Sequence, residues 1–194
     1  ASSEVVNVIR EYERFSSTAM NAYIGPKSAR YLSSLESRLR EEGINSQVRI
    51  MQSNGGISTV DNSSARPIGL LLSGPAGGVI GARATGEQNK ISNIITIDIG
   101  GTSADISVIQ DGNLRIKNPR DTEVAHLPVL VPMLDIDAIG AGGGSIAYID
   151  DGGAFRVGPK SAGAVPGPSC YGNGGEHPTV TDAQVVLGRL DQEH

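Results

Sequence analysis

Apolar positions recur at helical spacing over residues 3–24, where Val5, Ile9, Tyr12, Phe15, Ala19 and Tyr23 share one stripe. Ser2 or Ser3 suits the cap, Glu4 favours the first turn, and Gly25-Pro26 is expected to end the helix. A second helix is predicted over 27–42, with Leu32, Leu35 and Leu39 on one face and Gly43 as its stop. Residues 47–52 read as a strand, followed by Ser53-Asn54-Gly55-Gly56 and a loop to Pro67. The apolar stretch 68–72 runs into Ser73-Gly74-Pro75-Ala76-Gly77-Gly78. A helix follows from Val79 to Ala84, with Ser73 as cap and Pro75 in the first turn.

The centre of the chain changes period. Ile94-Ile95-Thr96-Ile97-Asp98-Ile99 is a nearly unbroken β-branched run, the pattern of a strand buried on both faces. After Gly100-Gly101-Thr102, residues 103–109 alternate as a second strand, Asp111-Gly112 is a hairpin signal, and Leu114–Lys117 forms a third. Two tight turns make these three strands an antiparallel β-meander. Residues 118–135 read as irregular around Pro119, Pro128 and Pro132. Gly140–Gly144 separates two apolar segments within 136–150, and 155–157 forms a short strand. Residues 158–175 read as a Gly- and Pro-rich loop, and a last helix capped by Thr181 or Asp182 runs through Leu187 to Gly188. The fold class is therefore α/β, a mixed sheet holding the meander with helices around it. Residues 1–90 are expected to pack on a lobe formed by 91–194, in one continuous domain cut from a longer chain.

Composition narrows the function. The net charge is −5, and the 16 Lys and Arg residues are scattered, which argues against a nucleic-acid partner. One cysteine, Cys170, excludes an internal disulfide, and no apolar run approaches a membrane span. A cytoplasmic location is the default expectation. Aromatic residues make up 4% and Trp is absent, so any core is aliphatic. The 26 glycines fall in clusters beside apolar runs, as tight turns and close backbone approaches require.

The candidate chemistry lies in Asp98-Ile99-Gly100-Gly101-Thr102-Ser103-Ala104-Asp105. An acid ends a strand, glycines turn the chain, hydroxyl residues follow, and a second acid lies seven residues after the first. Glycines let main-chain N–H groups approach phosphate oxygens, and Thr102 and Ser103 add hydroxyl donors. Two acids beside a polyphosphate repel it unless a cation intervenes, so the motif implies Mg²⁺. A plain hairpin with a Gly-Gly turn and a surface Asp is the competing reading. The Asp inside a β-branched run favours the phosphate site, because Asp is depleted in strands. The motif is neither a P-loop nor a dinucleotide fingerprint, since its glycines lead into a strand rather than a helix, and Gly140–Gly144 has the wrong spacing for the latter.

The stretch 97–105 resembles a phosphate motif of the actin/hexokinase/heat-shock-chaperone ATPases. Met51–Gly56, Leu72–Gly78, Ile139–Ala147, Gly158–Ala164 and Pro166–Gly172 narrow the resemblance to the hydantoinase A/oxoprolinase family, which includes N-methylhydantoinase, 5-oxoprolinase and the ATP-using subunits of acetone-type carboxylases. The resemblance covers essentially the whole chain. It implies an actin-like ATPase lobe and an ATP-dependent hydrolase that phosphorylates and opens a cyclic amide, hydantoin- or 5-oxoproline-like. The alternatives are the ATP-using part of a ketone carboxylase and a non-catalytic nucleotide-binding module.

The same resemblance assigns roles. Asp98 is the catalytic candidate, holding Mg²⁺ or orienting the attacking group, and Asp105 assists the metal. Gly100, Gly101, Thr102, Ser103, Gly142 and Gly143 bind ATP. The family carries a further Asp-x-Gly-Gly-Thr motif in an N-terminal lobe, so this chain is expected to supply one side of the ATP cleft. A second subunit or region of hydantoinase B type is the expected partner. Family members often have Thr where this chain has Ala104, which removes one possible contact.

Other groups carry weaker signals. His126, His177 and His194 lack metal-ligand spacing. Asp135 and Asp137 lie two apart, on one face of an extended segment, and are either metal ligands or loop carboxylates. Cys170 has no basic neighbour in sequence to activate it and is expected to be non-catalytic. Asn54-Gly55-Gly56 fits either a structural turn or a ligand contact.

Overall fold

The break expected at Gly25-Pro26 does not occur. In the computed structural model a short helix α1 (Ser2–Val5) precedes helix α2, which runs unbroken from Glu11 to Glu41 with Pro26 inside it. The structure describes residues 1–118, 122–124 and 126–191, so Pro119 and His194 lie outside it. A proline inside a helix forfeits a backbone hydrogen bond, and tertiary contacts around it offset the loss. The Asn21 carboxamide oxygen accepts from Ile68 N–H (3.2 Å), and Ser17 Oγ accepts from Leu130 N–H (2.9 Å) while donating to the Glu13 carbonyl. Met20 and Ile24 pack against buried Ile68, Val129 and Met133.

The buried face of α2 therefore runs through Ser17, Met20, Ile24 and Leu32. The expected stripe is the wrong one: Ile9, Tyr12, Phe15 and Tyr23 are exposed. The helix ends as the sequence predicts. Gly43 takes a φ of 81°, Gly43 N–H donates to the Arg40 carbonyl, and Ile44 N–H donates to the Leu39 carbonyl, which is a Schellman closure.

Strands β1 (Arg49–Met51) and β2 (Ile57–Thr59) pair antiparallel where only one strand was expected. Asn54-Gly55-Gly56 is their turn, with Gly56 N–H donating to Asn54 Oδ1 (2.9 Å) and Gly55 at a φ of 80°. Helix α3 (Val60–Ala65), capped by Thr59 Oγ1, and a 3-10 turn at Pro67–Leu70 occupy the rest of the expected loop. Helix α4 spans Ser73–Gln88. Its cap position is Leu72, left-handed with a φ of 55°, so Ser73 begins the helix rather than capping it.

The central meander is present. Strand β3 (Ile94–Ile99) neighbours β4 (Ala104–Gln110), which pairs antiparallel with β5 (Asn113–Leu114) through a turn in which Asp111 and Gly112 both have positive φ. The four-residue β3–β4 connection is short enough to require antiparallel strands. Two-residue strands β6 (Glu123–Val124) and β7 (Leu127–Pro128) form a small ribbon in the segment read as irregular. Strand β8 (Ile136–Ile139) also pairs with β4. Strand β3 is not buried on both faces: Ile95, Ile97 and Ile99 are 62–69% exposed, and β4 is its one strand neighbour among the described residues. A β-branched run is compatible with an edge strand as well as a central one, and here it forms an edge.

The chain divides into two compact units. The first, residues 1–94 and 108–136, has two aliphatic cores. One joins Ala76, Val79, Ile109, Leu134 and Ile136; the other joins Ile68, Val129 and Met133. The second unit comprises 95–107 and 137–194. In it, β9 (Ser145–Ile149) pairs antiparallel with β10 (Phe155–Ser161), which is longer than the expected 155–157 strand and carries an irregular register between Val157 and Ser161. Helix α5 (Val180–Val186) closes the unit. Its cap is Thr179 rather than Thr181 or Asp182.

Candidate functional site

The β3–β4 turn and the Gly140–Gly144 segment, about forty residues apart in sequence, meet within the second unit. Gly100 N–H donates to the Ser103 carbonyl (2.9 Å), which makes Gly101 and Thr102 the two corner residues of the hairpin. Extending a regular ladder back from the Gly100–Ser103 pair sets Asp98 across from Asp105 and Thr96 across from Ser107. The hydrogen bond from Thr96 Oγ1 to the Ser107 carbonyl (3.3 Å) agrees with that register.

Two carboxylates are thus opposed on adjacent strands, Asp98 exposed and Asp105 half-buried. Among the described residues, no Lys, Arg or His pairs with either. Like charges directly opposite each other destabilise a hairpin. A cation between them relieves that repulsion, and one or two carboxylates completed by phosphate oxygens and water is the donor set Mg²⁺ prefers. The residues present fit such an ion. No cluster of three or more His, Cys, Asp or Glu exists among the described residues, so an all-protein metal cage is not built here.

The glycine segment lies against the far side of this turn. Gly143 N–H donates to the Gly100 carbonyl (2.9 Å), and Gly144 N–H donates to the Gly101 carbonyl (2.6 Å). A Cβ on Gly142 would stand 2.7 Å from the Gly100 carbonyl oxygen and from the Thr102 backbone, so glycine is required there by contact alone. Gly142 N–H itself donates to Ser145 Oγ (2.9 Å), whose residue is fully buried. The amides of Gly100, Gly142, Gly143 and Gly144 are therefore occupied by protein acceptors. Among the described residues nothing accepts from the N–H of Gly101 or Thr102, and both residues are exposed. Ser103 is half-buried beside them. The six sequence-selected ligand residues are brought together, but their main-chain donors divide: those of Gly101, Thr102 and Ser103 have no protein acceptor among the described residues, and those of Gly100, Gly142 and Gly143 are engaged.

Sequence reading gives Thr181 and Asp182 only as alternative caps of the last helix, whereas the structure makes them groups that hold this arrangement. Thr181 N–H and Thr181 Oγ1 both donate to the Gly143 carbonyl, at 2.8 and 2.9 Å. Asp182 accepts from Thr179 N–H (2.7 Å), Thr179 Oγ1 (2.8 Å) and Cys170 N–H (2.7 Å). Burial alone would raise its pKa, but these donors outweigh it and hold the carboxyl at about 2. The Thr-x-x-Asp spacing at 179–182 was the available signal, that of a capping box.

The remaining candidates lie elsewhere. Desolvation, then the Asp182 hydrogen bond and charge, push the Cys170 thiol above its usual pKa, the opposite of nucleophile activation. His126 and His177 are exposed. Asp135 is half-buried, its N–H donating to the Arg115 carbonyl (2.8 Å), and Asp137 is exposed on β8.

Comparison with known proteins points the same way along the whole chain. Residues 14–194 match the family described as Hydantoinase/oxoprolinase. Caprolactamase subunit alpha of Pseudomonas jessenii is 43% identical over 96% of this chain and 27% of its own. The 5-oxoprolinase of Saccharomyces cerevisiae is 41% identical over 99% of this chain and 14% of its own. A nucleotide-free structure of acetone carboxylase, from work on ATP-dependent acetone carboxylation, superimposes with a TM-score of 0.80 at 36% identity, covering 98% of this chain and 26% of that one. The chain thus spans about a quarter or less of the length of these relatives. The α/β architecture with its antiparallel meander is that of the actin-like ATP-dependent enzymes they represent. A match over 181 consecutive positions, on a fold shared with solved relatives, places this chain in the hydantoinase/oxoprolinase family.

Proposed function

We propose that the protein containing this chain is an ATP-dependent cyclic amide hydrolase, and that the β3–β4 turn binds the phosphates of its ATP. One observation carries the reading: an exposed turn keeps the Gly101 and Thr102 amides free beside two opposed carboxylates that lack a protein cation. The names of the caprolactamase and 5-oxoprolinase relatives support a lactam ring as substrate, and the family's description supports a hydantoin.

ATP, as co-substrate, supplies the phosphoryl group that activates the amide carbon through its oxygen; water adds at that carbon, the ring C–N bond breaks with the nitrogen leaving protonated, and hydrolysis of the resulting acyl phosphate releases phosphate. The chain's own contribution is binding and orientation. The Gly101 and Thr102 N–H groups and the Thr102 and Ser103 hydroxyls donate to phosphate oxygens. Asp98 and Asp105 hold Mg²⁺, which balances phosphate charge when bound. Asp98, at the end of a strand, also fits the task of orienting the attacking group. Gly100, Gly142 and Gly143 contribute by shaping the turn, since their amides are already engaged.

The reading extends to a cytoplasmic protein with a second hydantoinase B-type subunit or region, a role consistent with the "subunit" in the caprolactamase name. No helix among the described residues is long and apolar enough to cross a membrane. The likeness to acetone carboxylase favours a second reading, the ATP-using part of a ketone carboxylase.

The deciding experiment is product analysis on the full-length protein with Mg-ATP and lactams, hydantoins or ketones. Ring opening coupled to ADP formation is the expected result. Ketone carboxylation selects the second reading, and nucleotide binding without any product reduces the protein to a binding module. The isolated 194 residues, with a single phosphate hairpin, bind Mg-ATP weakly and turn over nothing. Robust ATPase activity from them would overturn the two-hairpin premise.

A further inference from the structure

We propose that Thr181 is a positioning residue for the phosphate turn, acting through the glycine segment behind it. The proposal rests on the phosphate reading of that turn and goes beyond it by naming what holds the open amides in place.

A two-residue hairpin corner bearing glycine is conformationally permissive, and its donors bind a polyphosphate well only when their directions are fixed beforehand. Strand pairing fixes Gly100 and Ser103, but not the corner. The corner is fixed from behind. Gly144 N–H takes the Gly101 carbonyl and Gly143 N–H takes the Gly100 carbonyl, so the peptide planes on both sides of Gly101 are oriented by the glycine segment. With those carbonyls turned inward, the Gly101 and Thr102 N–H groups are left for a ligand.

The glycine segment in turn needs an anchor, because its one side chain, the Ala141 methyl group, is exposed and Gly142–Gly144 have none to pack. Ala162 N–H holds the Gly144 carbonyl (2.8 Å), and Thr181 adds a tether of two donors, its N–H and Oγ1, that converge on the single Gly143 carbonyl. The tether is sterically close as well: a Cβ on Gly143 would fall 2.7 Å from Thr181 Oγ1. Thr181 is held by α5, and the start of α5 is locked by the Thr179–Asp182 capping box. A continuous path of hydrogen bonds therefore runs from a helix start to the ligand-facing corner. The Thr181 hydroxyl is the one side-chain donor in that path acting on the glycine segment's carbonyls among the described residues.

The test uses the full-length protein and calorimetric titration with Mg-ATP and with adenosine. Thr181→Val removes the hydroxyl and keeps the shape; Thr181→Ala removes it without bulk and serves if the valine variant misfolds. Either is expected to weaken Mg-ATP by about five- to tenfold, the worth of one hydrogen bond. Adenosine affinity is expected to be unchanged, and Thr181→Ser to bind ATP as wild type does. Equal losses for ATP and adenosine, or a drop in melting temperature with unchanged ATP affinity, would reduce Thr181 to a structural role and overturn the proposal. Thr102→Ala separates the two levels. If it weakens ATP while Thr181→Val does not, only the positioning role fails; if neither changes ATP affinity, the phosphate reading fails with it.

Discussion

The turn at Gly100–Thr102 and the segment Gly140–Gly144 are both runs of glycine beside a strand, and they use glycine for opposite ends. At Gly101 an added Cβ would meet nothing within 4 Å, whereas at Gly142 it would meet backbone at 2.7 Å. The first glycine keeps a surface bare, and the second permits two backbones to touch. The turn leaves the Gly101, Thr102 and Ser103 amides unengaged among the described residues, while the glycine segment commits those of Gly143 and Gly144 to the turn's carbonyls. The contrast teaches that a glycine cluster near a phosphate motif is not itself evidence of ligand contact. The question is where its N–H groups go.

The largest effect expected from this contrast is on turnover. Asp98→Asn in the full-length protein abolishes ATP-dependent product formation, because the opposed pair then lacks one of its two charges. Folding moves the other way. Removing one of two facing like charges stabilises the ligand-free hairpin by about 0.2–1 kcal/mol. Steady-state kinetics paired with thermal melting reads both. Retained activity with a large fall in melting temperature would assign Asp98 to the scaffold instead.

Gly142→Ala comes next. Its methyl group collides with the Gly100 carbonyl and the Thr102 backbone, and neither is a flexible side-chain end. Overpacking of this kind costs about 1–3 kcal/mol, and the displaced corner loses Mg-ATP affinity as well. Denaturant unfolding and calorimetry measure the two consequences. Wild-type stability in this variant would mean that the segment and the turn are not in contact in solution.

Much of the fold was legible because local signals and packing agreed. Gly43 stops α2, Asp111-Gly112 turns β4 into β5, and the change of period at Ile94 marks the meander. The failures occur where a distant contact overrides a local one. Gly25-Pro26 reads as a break, but Asn21, Met20 and Ile24 are docked on either the 3-10 turn or the Val129 cluster and carry the helix across. The Tyr12, Phe15 and Tyr23 stripe has the right spacing and the wrong side. Residues 57–65 are too short and polar for either period to register, so β2 and α3 went unread. At the candidate site, the acids and hydroxyls of the turn were visible in the sequence. The seating of Gly142–Gly144 against it was not, since nothing in either stretch announces a partner forty residues away. Thr181 was read as a helix cap for the same reason.

Gly101→Ala is the matched control for Gly142→Ala. With open space around the new methyl group and no positive φ, its effect on stability is expected to stay within about 0.5 kcal/mol. Any loss is confined to Mg-ATP, where the methyl group now stands between ligand and backbone. A stability cost equal to that of Gly142→Ala would erase the distinction between the two clusters.

The smallest expected effect is a pH dependence at the far end of the hydrogen-bond path. Asp182 holds the start of α5, and its folded pKa of about 2 lies below the ordinary aspartate value of 3.8. A depressed carboxyl pKa means that its contribution to stability is complete above about 3.8 and is lost as pH falls through about 2. The stability gap between wild type and Asp182→Asn is therefore constant near neutrality and closes within that acid window. Because Asp182 is partly exposed, solvent screening keeps the gap small. Denaturant titrations at several pH values would read it. A gap that persisted unchanged down to pH 2 would mean that Asp182 holds Thr179 and the Cys170 amide by shape rather than by charge. The anchoring of Thr181, and with it the glycine segment, would then owe nothing to an ionised carboxylate.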